Sequence, residues 1–222
     1  MGIISVENTD RLYWLGRYSE RVFTTIRLFS ASFDDMIDTN LDSYEDFCKR
    51  LDIPNIYMSG PDFVRRYCFD AQVPDSIMSN LTRAYDNGVT LREEIGSETV
   101  SYIQLAVYDL NKAGTSHAPL IELMKVVDNL YAFWGIVDDQ IDSENVRNII
   151  KVGKRVERLD LYARLNMPRV EMQREIDRLA GRINRTNLKY RQSVIDDIQE
   201  LVKADEIDYH RVVKEIESIL EE

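Results

Sequence analysis

Apolar residues recur with a period near 3.6 along almost the whole chain, and strict apolar–polar alternation is nearly absent. This period predicts amphipathic helices rather than strands. Only nine glycines and five prolines occur in 222 residues, which argues against a sandwich, a barrel or a disordered chain. We therefore predict an all-α fold, an antiparallel multi-helix bundle joined by short loops.

Start and stop signals divide the chain into about ten helices. Gly96 is expected to end one helix and Ser97 to cap the next, and Ser143 is expected to cap a later one. The predicted ranges are 9–37, 44–51, 61–68, 74–95, a helix from 98, 119–141, 143–165, 168–187 and two more before the end.

The length of the chain favours one well-packed domain over residues 1–222. No Gly/Ser-rich linker marks a boundary inside it. Residues 190–222 are acidic, and we expect them to form a solvated helical hairpin or lid.

A net charge of -11 argues against nucleic acid and anionic membrane surfaces as partners. No apolar run approaches the length of a membrane span, and the first residues carry no basic-then-apolar leader. Cys48 and Cys68 lie in helical patterns and are expected to be buried or half-buried thiols, with a disulfide or reactive thiol as the alternative. These features predict a cytoplasmic protein.

A sequence repeat links the first helix to a later one. "GRYSERVFTTIRL" (16–28) aligns with "GKRVERLDLYARL" (153–165) at an offset of 137 residues. The identical pairs are Gly16/Gly153, Glu20/Glu157, Arg21/Arg158, Arg27/Arg164 and Leu28/Leu165. The repeat predicts two equivalent helices in a pseudo-symmetric bundle.

In each copy the glutamate shares a helical stripe with basic residues and a glycine. A helical wheel places Tyr13, Gly16, Arg17, Thr24 and Arg27 within about 60° of Glu20. The stripe of Glu157 holds Gly153, Lys154, Asp160 and Arg164. Because glycine costs a helix about 1 kcal/mol relative to alanine, we expect close approach of a backbone or a ligand there. We also predict that helices 9–37 and 143–166 pack together, with Glu20 and Glu157 facing a common interior.

The polar stripes admit three interpretations. Arg17–Glu20 and Lys154–Glu157 could be surface i,i+3 pairs. They could instead form a buried structural network. In the functional interpretation, the stripes form a site to which "REEIGSE" adds Arg92 and Glu98. The candidate catalytic residues are then Glu20, Glu98 and Glu157, and the candidate ligand-binding residues are Arg17, Arg21, Arg92, Lys154 and Arg158.

Three motifs resemble those of the alpha-E family, an all-helical group of bacterial proteins. They are "LYWLGRYSER", "PDSI…RAYDNGVTLREEIGSE" and "GKRVERLD", spread over about residues 8–165. The family's characteristic positions correspond to Gly16, Arg17, Glu20, Arg21, Arg92, Glu98, Gly153, Glu157, Arg158 and Asp160. The chain departs from the pattern at Lys154, Leu159 and Thr99-Val100, where the family has arginine, alanine and a tryptophan.

The resemblance also implies partners. Members are usually encountered beside a circularly permuted ATP-grasp ligase and transglutaminase-like peptidases, which implies a part in making or processing peptides or amide-linked products. A small anionic or peptide-like ligand is the molecule expected at the Glu/Arg cluster. The alternative is a non-catalytic scaffold or interaction protein, and the resemblance does not decide whether the chain is an enzyme.

A remote alternative is a magnesium-dependent diphosphate enzyme. "DDQID" (138–142) fits the metal motif of terpene synthases, and Asp86, Thr90 and Glu94 loosely fit their second one. The reversed order and short chain count against this, so Asp138, Asp139 and Asp142 are expected at the solvated end of a helix. His117 and His210 supply no Glu-x-x-His pair for a di-iron site. We therefore expect no metal site and no cofactor.

Overall fold

The computed structural model describes residues 4–38 and 43–221, and within them it is all-α. The structure is 76% helical, with eleven helices and no strand in the described part of the chain. The helices are α1 (Val6–Asp38), α2 (Ser43–Leu51), α3 (Gly60–Phe69), α4 (Ile77–Thr90), α5 (Arg92–Ile95), α6 (Ser97–Gly114), α7 (Pro119–Asp139), α8 (Glu144–Arg164), α9 (Arg169–Ile183), α10 (Gln192–Lys203) and α11 (Tyr209–Ile216). The predicted all-α class is confirmed.

Most helix ends follow the local signals. The Ser143 hydroxyl accepts from the backbone N–H of Val146 at 3.4 Å, as the predicted cap of α8. At the start of α6 the prediction was wrong, because Ser97 is already helical and Gly96 is the N-cap. Gly96 has φ of 81°, a left-handed conformation that glycine adopts without strain. The predicted 74–95 helix is also interrupted at Leu91, which separates α4 from α5.

The chain divides into two compact units. Unit 1 comprises Met1–Arg17 and Asp142–Glu222, and unit 2 comprises Tyr18–Ile141. The first boundary falls inside α1, so its first turns belong to unit 1 and the rest to unit 2. A single domain over residues 1–222 stays a prediction.

Unit 2 is built around α6, which packs on α4 and α7. Its fully buried side chains include Phe63, Leu81, Ile103, Leu110 and Phe133. Burial of such apolar side chains supplies most of the stabilisation of a helical bundle.

In unit 1, α8 packs on α9 and α11, and α10 packs on α9. Asn148 near the start of α8 contacts Arg182 near the end of α9, and Arg155 contacts Glu175. The two helices are therefore antiparallel, as the short connection between them requires.

The acidic tail is helical, but one face of it is not solvated. Ile195, Ile198 and Val202 of α10 and Val212 of α11 are fully buried. The expected hairpin is therefore part of the hydrophobic core of unit 1. Its acidic side chains occupy the opposite, exposed face of an amphipathic pattern.

Both cysteines are buried and unbridged, as expected of structural thiols. Burial raises the pKa of Cys48 to about 11 and that of Cys68 to about 12, so neither is a thiolate near neutral pH. None of the helices in the described ranges is both long and apolar enough to cross a bilayer.

Candidate functional site

The two motif glycines lie where α1 and α8 cross in unit 1. A Cβ atom built on Gly16 would collide with the Ile150 carbonyl and lie 3.0 Å from the Lys154 backbone nitrogen. A Cβ on Gly153 would collide in the same way with Tyr13 and lie 3.1 Å from the Arg17 nitrogen. Both obstacles are backbone atoms, so glycine is required at each position for the helices to cross this closely.

The crossing is pseudo-symmetric. Gly16 contacts Ile150 and Lys154, and Gly153 contacts Tyr13 and Arg17. Each contact partner on one helix corresponds to its counterpart on the other at the offset of 137 residues. The crossing resembles an isologous interface between two identical subunits, in which the same surface patch of each subunit contacts the other. Backbone contact, rather than a ligand, explains the repeated glycine.

Arg17 and Glu157 form the ion pair beside this crossing. The Arg17 Nε donates to Glu157 Oε2 at 2.7 Å, while the Glu157 side chain is 1% exposed and that of Arg17 is 18% exposed. The guanidinium lies over the Trp14 ring at 4.9 Å and near Tyr13 at 5.8 Å. The pair is thus enclosed by aromatic surface, which strengthens both the ion pair and the cation–π contact.

Burial and charge act together on these groups. Burial raises the pKa of Tyr13, and Arg17 opposes that rise. Burial alone would lower the pKa of Arg17, but the adjacent Glu157 outweighs it and the pKa is raised. The pKa of Asp160 is raised by burial and by Glu157, against the hydrogen-bonded Arg164. Arg17 is therefore a permanent cation that stabilises a buried carboxylate.

The interpretation of the motifs as surface i,i+3 pairs is wrong. Glu20 and Glu157 are both 0% exposed, and Arg17 bonds to Glu157 on another helix. In unit 2, the Thr24 hydroxyl donates to Glu20 Oε1 at 2.6 Å. Because Glu20 and Glu157 belong to different units, a common interior for them stays a prediction.

The remaining candidates are in different surroundings. Arg92 and Glu98 are exposed on unit 2, whereas Lys154 is half-buried. Arg21 is half-buried and its charge acts on Tyr67 of α3. Arg92 and Glu98 thus do not share the burial of Glu20 within unit 2, and a common site for these residues stays a prediction.

The second Glu-Arg pair contacts two different helices. Glu157 meets α1, whereas Arg158 Nη1 lies 3.8 Å from Glu175 Oε1 on α9. Neighbouring residues on a helix point about 100° apart. The dipeptide therefore holds α8 against α1 and α9 at once.

Sequence reasoning missed Glu175, which is 0% exposed. Among the described residues, four guanidinium groups lie within ion-pair distance of its carboxylate. They are Arg155 at 2.6 Å, Arg178 at 3.0 Å, Arg174 at 3.7 Å and Arg158 at 3.8 Å. Arginines 174, 178 and 182 recur every four residues and therefore lie on one face of a helix. This row of cations was the sequence signal that could have drawn attention to a glutamate beside it.

Lys151 is a buried cation of α8, four residues before Arg155. Its burial leads to a pH-dependent prediction. Its pKa is lowered to about 8 by burial and by Arg182 and Arg155. Below pH 8 the native state must hold the charge, whereas above it the native lysine becomes neutral before the unfolded one does. Lys151→Met should therefore raise Tm at pH 7, and the gain should shrink from pH 8 toward the unfolded-state pKa of about 10.4. Thermal unfolding of both proteins across this range tests it, and a lower Tm at pH 7 would contradict it.

The acidic metal motif lies in solvent. Asp138, Asp139 and Asp142 are exposed, and Asp139 is the last residue of α7. Within the described ranges, no three His, Cys, Asp or Glu side chains are grouped to hold a metal ion. This placement supports the solvated helix end over the diphosphate-enzyme alternative.

Comparison with known protein families gives a match. A family model named Alpha-E, described as a predicted alpha-helical domain with a conserved ER motif, matches residues 8–190. Glu-Arg occurs twice in the chain, at Glu20-Arg21 and Glu157-Arg158, and both lie inside that range. No curated protein and no solved structure matches the chain.

Proposed function

Since the chain belongs to the Alpha-E family of helical proteins, we propose that it is a non-catalytic module that docks an ATP-grasp-type ligase. In this proposal its Glu-Arg motifs are structural and hold the helices in place. The choice of partner rests on the resemblance to the alpha-E family. Members of that family are encountered beside a circularly permuted ATP-grasp ligase and transglutaminase-like proteins.

The observation that carries the structural role is the enclosure of Glu157. Its side chain is 1% exposed and accepts a hydrogen bond from Arg17 at 2.7 Å, next to backbones in contact at Gly16 and Gly153. A general acid or base must reach a proton of the substrate within about 3 Å. A carboxylate enclosed between two helices and bonded to arginine is better suited to fixing their crossing.

A first experiment separates the structural role from a ligand-binding role. Glu157→Gln removes the charge but keeps the shape, and it leaves the half-buried Arg17 beside a neutral amide. We expect the free energy of unfolding to fall by about 2 kcal/mol, below the usual cost of a broken buried pair because Arg17 is partly exposed. Thermal and denaturant unfolding measure this loss.

Glu98→Gln is the matched control, because Glu98 is an exposed carboxylate of the same candidate set. It should change the free energy of unfolding by less than about 0.5 kcal/mol. If Glu157→Gln kept the wild-type Tm and lost binding of an anionic or peptide-like ligand, the cluster would be an open site. The structural proposal would then be wrong.

The docking role is tested by binding of the purified ligase. Mixing the protein with the circularly permuted ATP-grasp ligase of its own organism should give a complex in size-exclusion chromatography. Glu98→Gln should form the complex as well, because its fold is unchanged. Separate elution of the two proteins at micromolar concentration would contradict the docking role and leave the structural role of the motifs intact.

A further inference from the structure

The facing sides of α8 and α9 carry an unusual concentration of positive charge for a protein with net charge -11. Arg147, Lys151 and Arg155 follow one another at intervals of four residues on α8. On the antiparallel α9 they face Arg182, with Arg185 just beyond its end. We call these five residues the α8–α9 cationic cluster.

All five members of the cluster take part in mutual electrostatic repulsion. The pKa of Lys151 is lowered by burial and then by Arg182 and Arg155. The pKa of Arg182 is lowered by burial and then by Arg155, Arg185 and Arg147. Beyond the effect of burial, the neighbouring cations thus lower the pKa of Arg182, as positive potential around it does.

Lys151 and Arg155 are the recessed members of the cluster, whereas Arg147 and Arg182 are half-buried and Arg185 is exposed. Lys151 is 8% exposed and the Arg155 side chain is 16% exposed. Arg155 donates through Nη1 to Glu175, but its Nε is buried without a hydrogen-bond partner. Arg182 donates to the neutral Asn148 amide oxygen at 3.0 Å. The Arg182 guanidinium is thus bonded to a neutral acceptor, and the Nε of Arg155 remains a donor that an oxyanion could accept from.

From this arrangement we propose that the α8–α9 cationic cluster binds a small, multiply charged phosphoryl anion, with Lys151, Arg155 and Arg182 as its contacts. Guanidinium groups match phosphate oxygens in bidentate geometry, and a compact ammonium adds a point charge. The recess of Lys151 favours a small anion over the acidic surface of a protein. The acidic chain as a whole argues against nucleic acid.

The test is calorimetric titration of the full chain with sodium pyrophosphate at pH 7 in low-salt chloride buffer. Arg182→Gln and Lys151→Met should each weaken the pyrophosphate Kd at least about tenfold, because each removes a charged contact. Arg65→Gln removes the same charge from an exposed residue of unit 2 and should leave Kd within about twofold. No binding by wild type at millimolar pyrophosphate, or equal binding by all variants, would overturn the proposal.

Two further arms identify the ligand. Inorganic triphosphate and a nucleoside triphosphate share the phosphoryl chemistry. A tighter Kd for the nucleoside triphosphate would identify the ligand as a nucleotide, and equal Kd values would identify it as a free polyphosphate. Poly-glutamate represents the acidic surface of a protein partner. Binding of poly-glutamate without binding of pyrophosphate would overturn the proposal. None of these titrations includes the ligase, so their outcome is distinct from that of the docking test.

A chemical readout separates direct binding from a general gain in stability. At pH 8 a larger fraction of Lys151 than of an ordinary lysine is neutral, which is the form that is acetylated. Bound pyrophosphate should restore its charge and slow that acetylation several-fold, measured by mass spectrometry of the modified peptide. Acetylation of Lys151 that is unchanged at saturating pyrophosphate would place the anion elsewhere and overturn the assignment.

Discussion

Replacing Gly16 or Gly153 by alanine is expected to destabilise the protein by about 3 kcal/mol or more, at the severe end of overpacking substitutions. The added methyl group would overlap the backbone carbonyl of Ile150 or of Tyr13. A side chain can rotate away from such a clash, but the backbone of a paired helix cannot. For a chain of this length we expect Tm to fall by roughly 6–12 °C in thermal unfolding monitored by circular dichroism.

Gly181→Ala is the matched control for this prediction. Gly181 also lies in a helix of unit 1, but a Cβ built on it meets no atom within 4 Å. Alanine there should raise the free energy of unfolding by about 0.5–1 kcal/mol through its better helix propensity. An unchanged Tm for Gly16→Ala and Gly153→Ala would mean that the two helices do not cross at these residues.

Glu175→Gln is the second large effect that we expect, a loss of about 3–5 kcal/mol. Glu175 is fully buried, and its two least exposed partners are Arg155 and Arg158, at 16% and 13%. The amide removes the negative charge between them, and their desolvation is no longer compensated. Arg174 and Arg178 are about half exposed and can turn to water.

Glu171→Gln isolates the effect of burial in the same helix. Glu171 lies one turn before Glu175 and pairs with Arg174, but the side chains of Glu171 and Arg174 are both substantially exposed. This substitution should change the free energy of unfolding by less than about 0.5 kcal/mol. Similar values for the two variants in denaturant titrations would show that the charge of Glu175 is not structurally required.

Local signals predicted the helices well where a residue acts on its own backbone. Ser143 caps α8 because its hydroxyl reaches an N–H three residues along the chain. Gly96 ends α5 as predicted, but the start of α6 was predicted one residue too late. Gly96, with its φ of 81°, is also the N-cap of α6, a position that the sequence assigned to Ser97.

The close approach at the two motif glycines was predicted from the repeat, whereas a common site for the candidate residues stays a prediction. The repeat correctly placed glycine, arginine and glutamate at a crossing of two helices, since equal spacing on equal helices produces equal faces. It could not pair Arg17 with Glu157 rather than with Glu20, because a helical wheel shows only neighbours on the same helix and Glu157 lies on another one. Glu175 escaped notice because it lies outside the repeat, among arginines that resemble an ordinary solvated face.

Periodicity, capping residues and the repeat by themselves determined that the chain is helical, where most helices begin and end, and that residues 16 and 153 are equivalent. Such features depend on neighbours a few residues apart, so a single sequence contains them. Only the tertiary structure decided that Glu157 is enclosed against α1, that Arg158 turns to α9, and that the tail buries one face. Those outcomes depend on which helix comes to lie beside which, and long-range packing free energy rather than local propensity settles that.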